Sequence, residues 1–283
     1  MKLAKRHILT TLFLTLFLTA CSGGLADLAE KILYPFDNVN KNYQVPENPP
    51  ENLYQVTFNV PATDGSTMSI HSWVYNTQNL NARTFVYFHG NGENLQALYQ
   101  YNFIGVLKQL GVHFIIIDYP GLGRSQGVPN QENLVNSALA AIDWAKEKHP
   151  GSTLIVWGRS LGAAVATLAT SRRSDIVDGL IITSGWNNFL AVAKDKTSLA
   201  NSIPKSWTEQ NRYDSAAAAA MINLPVLIHH GVNDKTIPIK FGRTLFHSFP
   251  AEVNPTMKEI AGKDHNDIFT VQSVWQDIKS FMN

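Results

Sequence analysis

Ser160, Asp234 and His265 are residue types that can together carry out nucleophilic acyl chemistry, and they occur in the order Ser…Asp…His. A serine hydroxyl is a poor nucleophile at neutral pH until a histidine takes its proton. That histidine works only when a carboxylate fixes its tautomer and stabilises the imidazolium. The serine lies in Gly158-Arg159-Ser160-Leu161-Gly162, between the apolar run Leu154–Trp157 and the Ala-rich run Ala163–Ala169. Such a pattern reads as strand, sharp turn and helix. The turn lifts the hydroxyl above the sheet, aims N–H groups of the new helix at the same spot, and tolerates only small residues two places either side of the serine. A developing oxyanion also needs fixed donors, and the backbone N–H groups of Leu161 and Asn91 are the natural pair. Gly90, Arg159 and Trp186 are expected to contact substrate.

Other titratable groups have simpler readings. Asp64 lies in an Asp-Gly turn and is expected to be structural. Asp118 ends an apolar strand and is an acid in principle, although a loop-holding role is favoured because it precedes the nucleophile. His89, His229 and His230 fall at strand ends, where packing or hydrogen bonding is expected of them. His71, His113, His149 and His247 take no assignment. No His/Asp/Glu cluster has metal-ligand spacing, so no metal or other cofactor is expected. Gly121-Leu-Gly123-Arg-Ser-Gln-Gly127 invites a dinucleotide reading. Its third glycine is one residue too far on, Pro120 precedes it, and Pro129 separates it from the next helix.

The elements that must position these residues alternate from Arg83 onward. Short apolar runs at Thr84–Phe88, His113–Asp118, Thr153–Trp157, Gly179–Thr183 and Pro225–His229 read as buried parallel strands, with a last one at Thr256–Ile260. Helical patterns lie near Leu95–Leu110, Glu132–Lys148, Leu161–Arg172, Ser215–Ile222 and Asp267–Phe281. A hairpin, Tyr54–Val60 and Met68–Tyr75 around Asp64-Gly65, opens the domain. This alternation predicts an α/β fold with a mostly parallel, doubly wound sheet, whose sites form at the carboxyl ends of the strands. Each candidate for chemistry follows directly on a strand. The stretch at about residues 186–213 interrupts the alternation and is expected to form a small cap over an open, modest pocket.

The N-terminus reads differently. Residues 1–20 carry Lys2, Lys5 and Arg6 before an apolar run too short to span a bilayer comfortably, as in a secretory signal. Cys21 is the only cysteine among the 283 residues, so no disulfide can form within one chain. Residues 21–52 read as a tether and arm, with a short helical pattern at Leu25, Leu28, Ile32 and Leu33, and residues 53–283 as the folded domain. Removing residues 1–20 would leave 20 Lys plus Arg against 22 Asp plus Glu, a nearly neutral chain with no basic patch to recommend nucleic acid.

Two resemblances follow. Leu18-Thr19-Ala20-Cys21 is similar to the lipobox of bacterial lipoproteins, which implies cleavage before Cys21, acylation of its thiol and anchoring in the cell envelope. By the same resemblance, Ser22 after the cysteine favours the periplasmic face of the outer membrane. From roughly Leu53 to the C-terminus the chain resembles the α/β-hydrolase superfamily, within it the Bem46-like and serine aminopeptidase-like group. The resemblance rests on Phe88-His-Gly-Asn-Gly92, Asp118-Tyr-Pro-Gly-Leu-Gly-Arg-Ser125, Gly158-Arg-Ser-Leu-Gly162, His230-Gly…Asp234…Ile237-Pro238 and His265. It implies an α/β-hydrolase fold and the roles of nucleophile for Ser160, base for His265, acid for Asp234 and oxyanion donors for Leu161 and Asn91. Where many relatives carry Ser-Pro, this chain has Ser184-Gly185-Trp186. The activity expected is that of a serine hydrolase on a small ester or acyl substrate. Peptidase, thioesterase and acyltransferase chemistry use the same machinery, and a non-catalytic envelope binding protein is the alternative of another class.

Overall fold

A computed structural model describes residues 24–36, 51–79 and 81–282. Cys21, Ser22 and the segment read as a signal lie outside the described residues. Eight strands form one sheet in the order β1-β2-β4-β3-β5-β6-β7-β8. The hairpin β1 (Leu53–Pro61) and β2 (Thr67–Tyr75) is antiparallel, and β2 lies antiparallel to β4 (His113–Ile117). From β4 the sheet runs parallel through β3 (Thr84–Phe88), β5 (Leu154–Arg159), β6 (Gly179–Thr183), β7 (Val226–Gly231) and β8 (Thr256–Ile260). This is the expected doubly wound, mostly parallel α/β sheet.

The strand period of two divides the apolar residues between two layers. Val86, Phe88, Leu154 and Val156 face one core layer, while Phe85, Tyr87, Ile155 and Trp157 face the other. The first layer is covered by α4 (Gln131–Lys148), α5 (Leu161–Ser171), α8 (Ser215–Ala219) and α9 (Ile239–Phe246). The second is covered by α2 (Leu95–Gln100), α3 (Phe103–Gln109) and α10 (Gln272–Phe281). All the parallel strands except the edge strand β8 are wholly buried, which explains why they read as unbroken apolar runs rather than alternating ones.

Some elements differ from expectation. The single helix expected over Leu95–Leu110 is two, because Asn102 takes a left-handed φ of 58°, a conformation that asparagine tolerates better than most residues. The closing helix is preceded by a 3₁₀ turn at Ile268–Thr270 and an extended Val271. The polar stretch after β6 is more ordered than a loop. It holds α6 (Phe189–Lys196), capped by the Asn188 side chain on the Ala191 N–H, then a 3₁₀ turn at Ser198–Ser202 and α7 (Lys205–Gln210). Helix α9 has no counterpart in the sequence reading.

The N-terminal stretch read as a tether includes α1 (Gly24–Leu33), which docks on the domain. Leu33, Tyr34 and Phe36 are buried in the same apolar cluster as Leu161 and Trp186. Tyr34 Oη donates to Asn211 Oδ1 at 2.7 Å and lies 2.8 Å from Tyr213 Oη, while Phe36 stacks on Tyr119. Among the described residues no helix is long and apolar enough to cross a membrane.

Candidate active site

The turn between β5 and α5 is fixed by close approach of backbone to backbone. Ser160 sits at φ 55°, ψ −120°, and its N–H is held by the Thr183 carbonyl at 2.9 Å. A Cβ on Gly158 would stand 2.1 Å from the Gly162 carbonyl oxygen, and one on Gly162 would stand 2.0 Å from that of Phe88. Only glycine fits at either place, and this is the physical content of Gly-x-Ser-x-Gly here. The strained φ at a non-glycine residue marks a position that its surroundings over-determine.

Two further loops meet the serine. The loop after β8 delivers His265, whose Nε2 lies 2.9 Å from Ser160 Oγ. The loop after β7 delivers Asp234, whose Oδ2 lies 2.7 Å from His265 Nδ1. An ionised carboxylate only accepts, so Nδ1 carries the hydrogen and Nε2 presents its lone pair to the serine hydroxyl. All three residues are 5–7 % exposed. The docked N-terminal segment reaches the loop of Asn91, a contact that the sequence reading did not anticipate.

The carboxylate is well held. Burial by itself would push the Asp234 carboxyl up, but hydrogen bonds from His230, His265 and the Ile237 N–H outweigh it and hold the group well below the usual carboxylate range. His230 donates from Nε2 to the Ile237 carbonyl at 2.8 Å, and the same nitrogen lies 3.4 Å from Asp234 Oδ2. Its ring occupies the place a side chain at position 242 would need, 2.3 Å from a Cβ there, so α9 carries Gly242. Asp264 ties the two loops together by accepting the N–H groups of Lys235 and His265, and these bonds lower its carboxyl pKa.

The loop after β3 brings the second set of expected donors. The Gly90 carbonyl accepts from His89 Nδ1 at 2.8 Å and from the Glu93 N–H at 3.3 Å. In a planar trans peptide the next N–H points the opposite way, so these two bonds fix the direction of the Asn91 N–H. The Asn91 side chain donates to the carbonyls of Ile32 and Leu33, each at 3.1 Å, and so attaches the loop to the end of α1. Leu161 is the first residue of α5, and an N–H in that position has no acceptor within its own helix.

The residues expected to contact substrate are placed as follows. Gly90 lies beside the nucleophile, since a Cβ there would come 3.6 Å from Ser160 Cβ. Trp186 is buried edge-on to Tyr213 and Phe189. Arg159 turns its guanidinium away into Glu93 and Asn266. Glu93 and Asn266 were missed in the sequence, where isolated polar residues in loops carry no periodic signal. Asp118 is taken up by the loops: its oxygens accept the N–H groups of Leu95 and Arg124, and it fills the space left by Gly123. His89 packs on Tyr119, and His229 faces Asp277.

Comparison with known proteins agrees with this architecture. Residues 81–208 match the family model described as serine aminopeptidase, S33. The chain is 28 % identical over 260 residues to the protein YfhR of Salmonella typhi, covering 85 % of this chain and 83 % of that one. It is 30 % identical over 174 residues to the lysophosphatidylserine lipase ABHD12 of Danio rerio, covering 57 % of this chain and 46 % of the relative. The chain thus spans about half the length of the ABHD12-type relatives it matches. Among solved structures, an esterase of Pyrococcus furiosus superposes with a TM-score of 0.65 at 17 % identity, covering 86 % of this chain and 98 % of that one. The protein Est1E of Butyrivibrio proteoclasticus superposes with a TM-score of 0.62 at 17 % identity, covering 80 % and 97 %.

Proposed function

We propose that this chain, which has the α/β-hydrolase fold and matches a serine aminopeptidase family model over residues 81–208, is a serine hydrolase that cleaves an ester-type acyl bond through an acyl-serine intermediate. The observation that carries the reading is the continuous hydrogen-bonded line Ser160 Oγ–His265 Nε2, His265 Nδ1–Asp234 Oδ2 among largely buried side chains. Ser160 attacks the substrate carbonyl while His265 takes its proton at Nε2. Asp234 keeps the hydrogen on Nδ1 and stabilises the imidazolium. The N–H groups of Leu161 and Asn91 receive the oxyanion, and loss of one such donor costs about 2.7–4 kcal/mol of barrier. His265 then returns the proton to the leaving group, and water repeats the sequence on the acyl-enzyme.

An ester is favoured over a peptide bond by the names borne by relatives and structural neighbours, among them a lysophosphatidylserine lipase and an esterase of Pyrococcus furiosus. The serine aminopeptidase description keeps the peptide alternative in view. Short- and long-chain p-nitrophenyl esters and aminoacyl p-nitroanilides, run side by side on wild type, Ser160→Ala and His265→Ala, test the reading. Ester turnover that is lost in both variants supports it. Turnover confined to the anilides would make the protein a peptidase, and turnover retained in His265→Ala would refute the assigned base.

The proposal includes location. Acylation of Cys21 would hold the domain at a membrane of the bacterial envelope, with Ser22 favouring the periplasmic face of the outer membrane. A processed and exported Cys21→Ser variant is then expected in the soluble fraction, and its tight retention on membranes would refute lipid anchoring.

A further inference from the structure

Arg159, next to the nucleophile, ties the turn of Ser160 to two of the loops that carry the proposed machinery, the one after β3 and the one after β8. Its Nη1 pairs with Glu93 Oε1 at 2.6 Å, and its Nη2 donates to Asn266 Oδ1 at 2.6 Å and to the His265 carbonyl at 3.3 Å. The other oxygen of Glu93 accepts the Gly90 N–H at 3.0 Å. A single planar cation therefore connects the turn of Ser160, the loop of Gly90 and Asn91, and the loop of His265. The two side chains are only 9 % and 17 % exposed.

We infer that Arg159 and Glu93 are positioning residues that set the oxyanion loop and the base loop against the nucleophile and place no net charge beside His265. The inference rests on the acyl-transfer reading above. Stability alone is a weak reason for such a pair, since a buried ion pair loses its hydration and apolar side chains of like volume commonly do as well. Geometry supplies a better reason. The guanidinium fork offers donors in two fixed directions, one toward Glu93 and one toward the His265–Asn266 backbone and side chain, which a lysine cannot match. Glu93 in turn uses one oxygen on the cation and the other on Gly90, the residue whose carbonyl direction sets the Asn91 N–H. Charge balance matters because His265 becomes cationic during the reaction. The other titratable groups around it are Asp234 and, behind that, His230 from the β7 side, Lys235 in the next loop, and Lys263, Asp264 and Asp267 on its own loop. Tyr87 faces the pair from β3, and burial, then Glu93, push its hydroxyl pKa well up.

The test is the pH dependence of kcat/KM for p-nitrophenyl butyrate with the detergent-solubilised full chain. The variants are Glu93→Gln, Arg159→Gln, Arg159→Lys and the double Glu93→Gln/Arg159→Gln. Glu93→Gln leaves a positive charge uncompensated and should move the acid limb to lower pH by about half a unit to one unit. Arg159→Gln leaves a negative one and should move it upward by a like amount. The double variant and Arg159→Lys should have the limb of the wild type, yet all four should lose about tenfold or more in kcat with KM within about threefold, because the fork is broken in each. If Arg159→Gln does not fold, Glu93→Gln still gives the limb shift, and Glu93→Gln and Arg159→Lys still give the kcat loss. A merely structural pair would lower activity without opposite limb shifts, and that result overturns the inference. No turnover in wild type would overturn the acyl-transfer reading and this inference together. An active wild type whose variants keep its limb and kcat overturns this inference alone.

Discussion

A methyl group on Gly162 tests how tightly the turn around Ser160 is built. In Gly162→Ala the new Cβ would stand 2.0 Å from the Phe88 carbonyl oxygen and 2.6 Å from that of His89, where real contacts stay beyond 3.0 Å. Both neighbours are backbone atoms of β3 and its loop, so no side chain can swing away. The start of α5 must then withdraw by about 1 Å, carrying the Leu161 N–H with it. Overpacking of this kind costs about 1–3 kcal/mol, offset by up to about 1 kcal/mol from the better helix propensity of alanine. Each kcal/mol of net loss lowers Tm by roughly 2–4 °C in a domain of this size. Catalysis should suffer more than stability, since misplacement by about 1 Å commonly costs on the order of 10²-fold in rate. The assay is kcat/KM on a p-nitrophenyl ester beside a thermal melt followed by circular dichroism. Gly151→Ala is the control, because its Cβ would meet nothing within 4 Å. It should leave kcat/KM unchanged and stability within about 0.5 kcal/mol. A folded Gly162→Ala enzyme with kcat/KM within threefold of wild type would refute the close-approach argument.

Other outcomes follow from particular contacts. Asp234→Asn should lower kcat by about 10⁴-fold while the protein stays folded, because an amide no longer dictates which nitrogen of His265 holds the hydrogen; steady-state kinetics at pH 7 check it. Tyr34→Phe strands the buried Asn211 Oδ1 and Tyr213 Oη and should cost about 1–3 kcal/mol in urea unfolding, loosening α1 from the domain. Acid should destabilise the fold in two steps. Burial, against the pull of Asp277, pushes the His229 imidazole down to about 4 from its ordinary 6.5, so the unfolded chain takes up this proton first as pH falls. About 3 kcal/mol is lost across that window. Asp234, held below the usual carboxylate range, contributes stability present above the ordinary carboxylate pKa and lost as pH falls through its folded value. Urea midpoints between pH 7 and 3 should show the upper step vanish in His229→Gln, and its persistence would sink that assignment.

The parts of the molecule legible in the sequence are those whose chemistry constrains residue type locally. Buried parallel strands must be apolar on both faces, so β3 and β6 can be read to the residue. The turn at Ser160 needs glycine on both sides, and Asp234 and His265 follow directly on strands whose ends a parallel sheet brings together. What escaped detection depends on long-range partners. Asn102 splits one apolar pattern into two helices through a single left-handed residue, which the helical period does not register. Helix α9 is short and contains Gly242, an apparent helix breaker until the His230 ring is seen beside it. The pattern of α1 is visible, yet nothing in it says that Leu33, Tyr34 and Phe36 are buried against the domain. Arg159 reads as a residue facing substrate because it adjoins the nucleophile, and only the fold shows Glu93 and Asn266 within its reach.

The central claim is that Ser160 is an activated nucleophile, and the most direct measurement is the intact mass of the protein after exposure to a fluorophosphonate, with the adduct mapped by peptide sequencing. The account predicts one adduct per chain, located on Ser160, absent from Ser160→Ala and slowed by at least about 10³-fold in His265→Ala. A folded protein that takes up no label, or takes it up at another residue while Ser160 stays free, would contradict it.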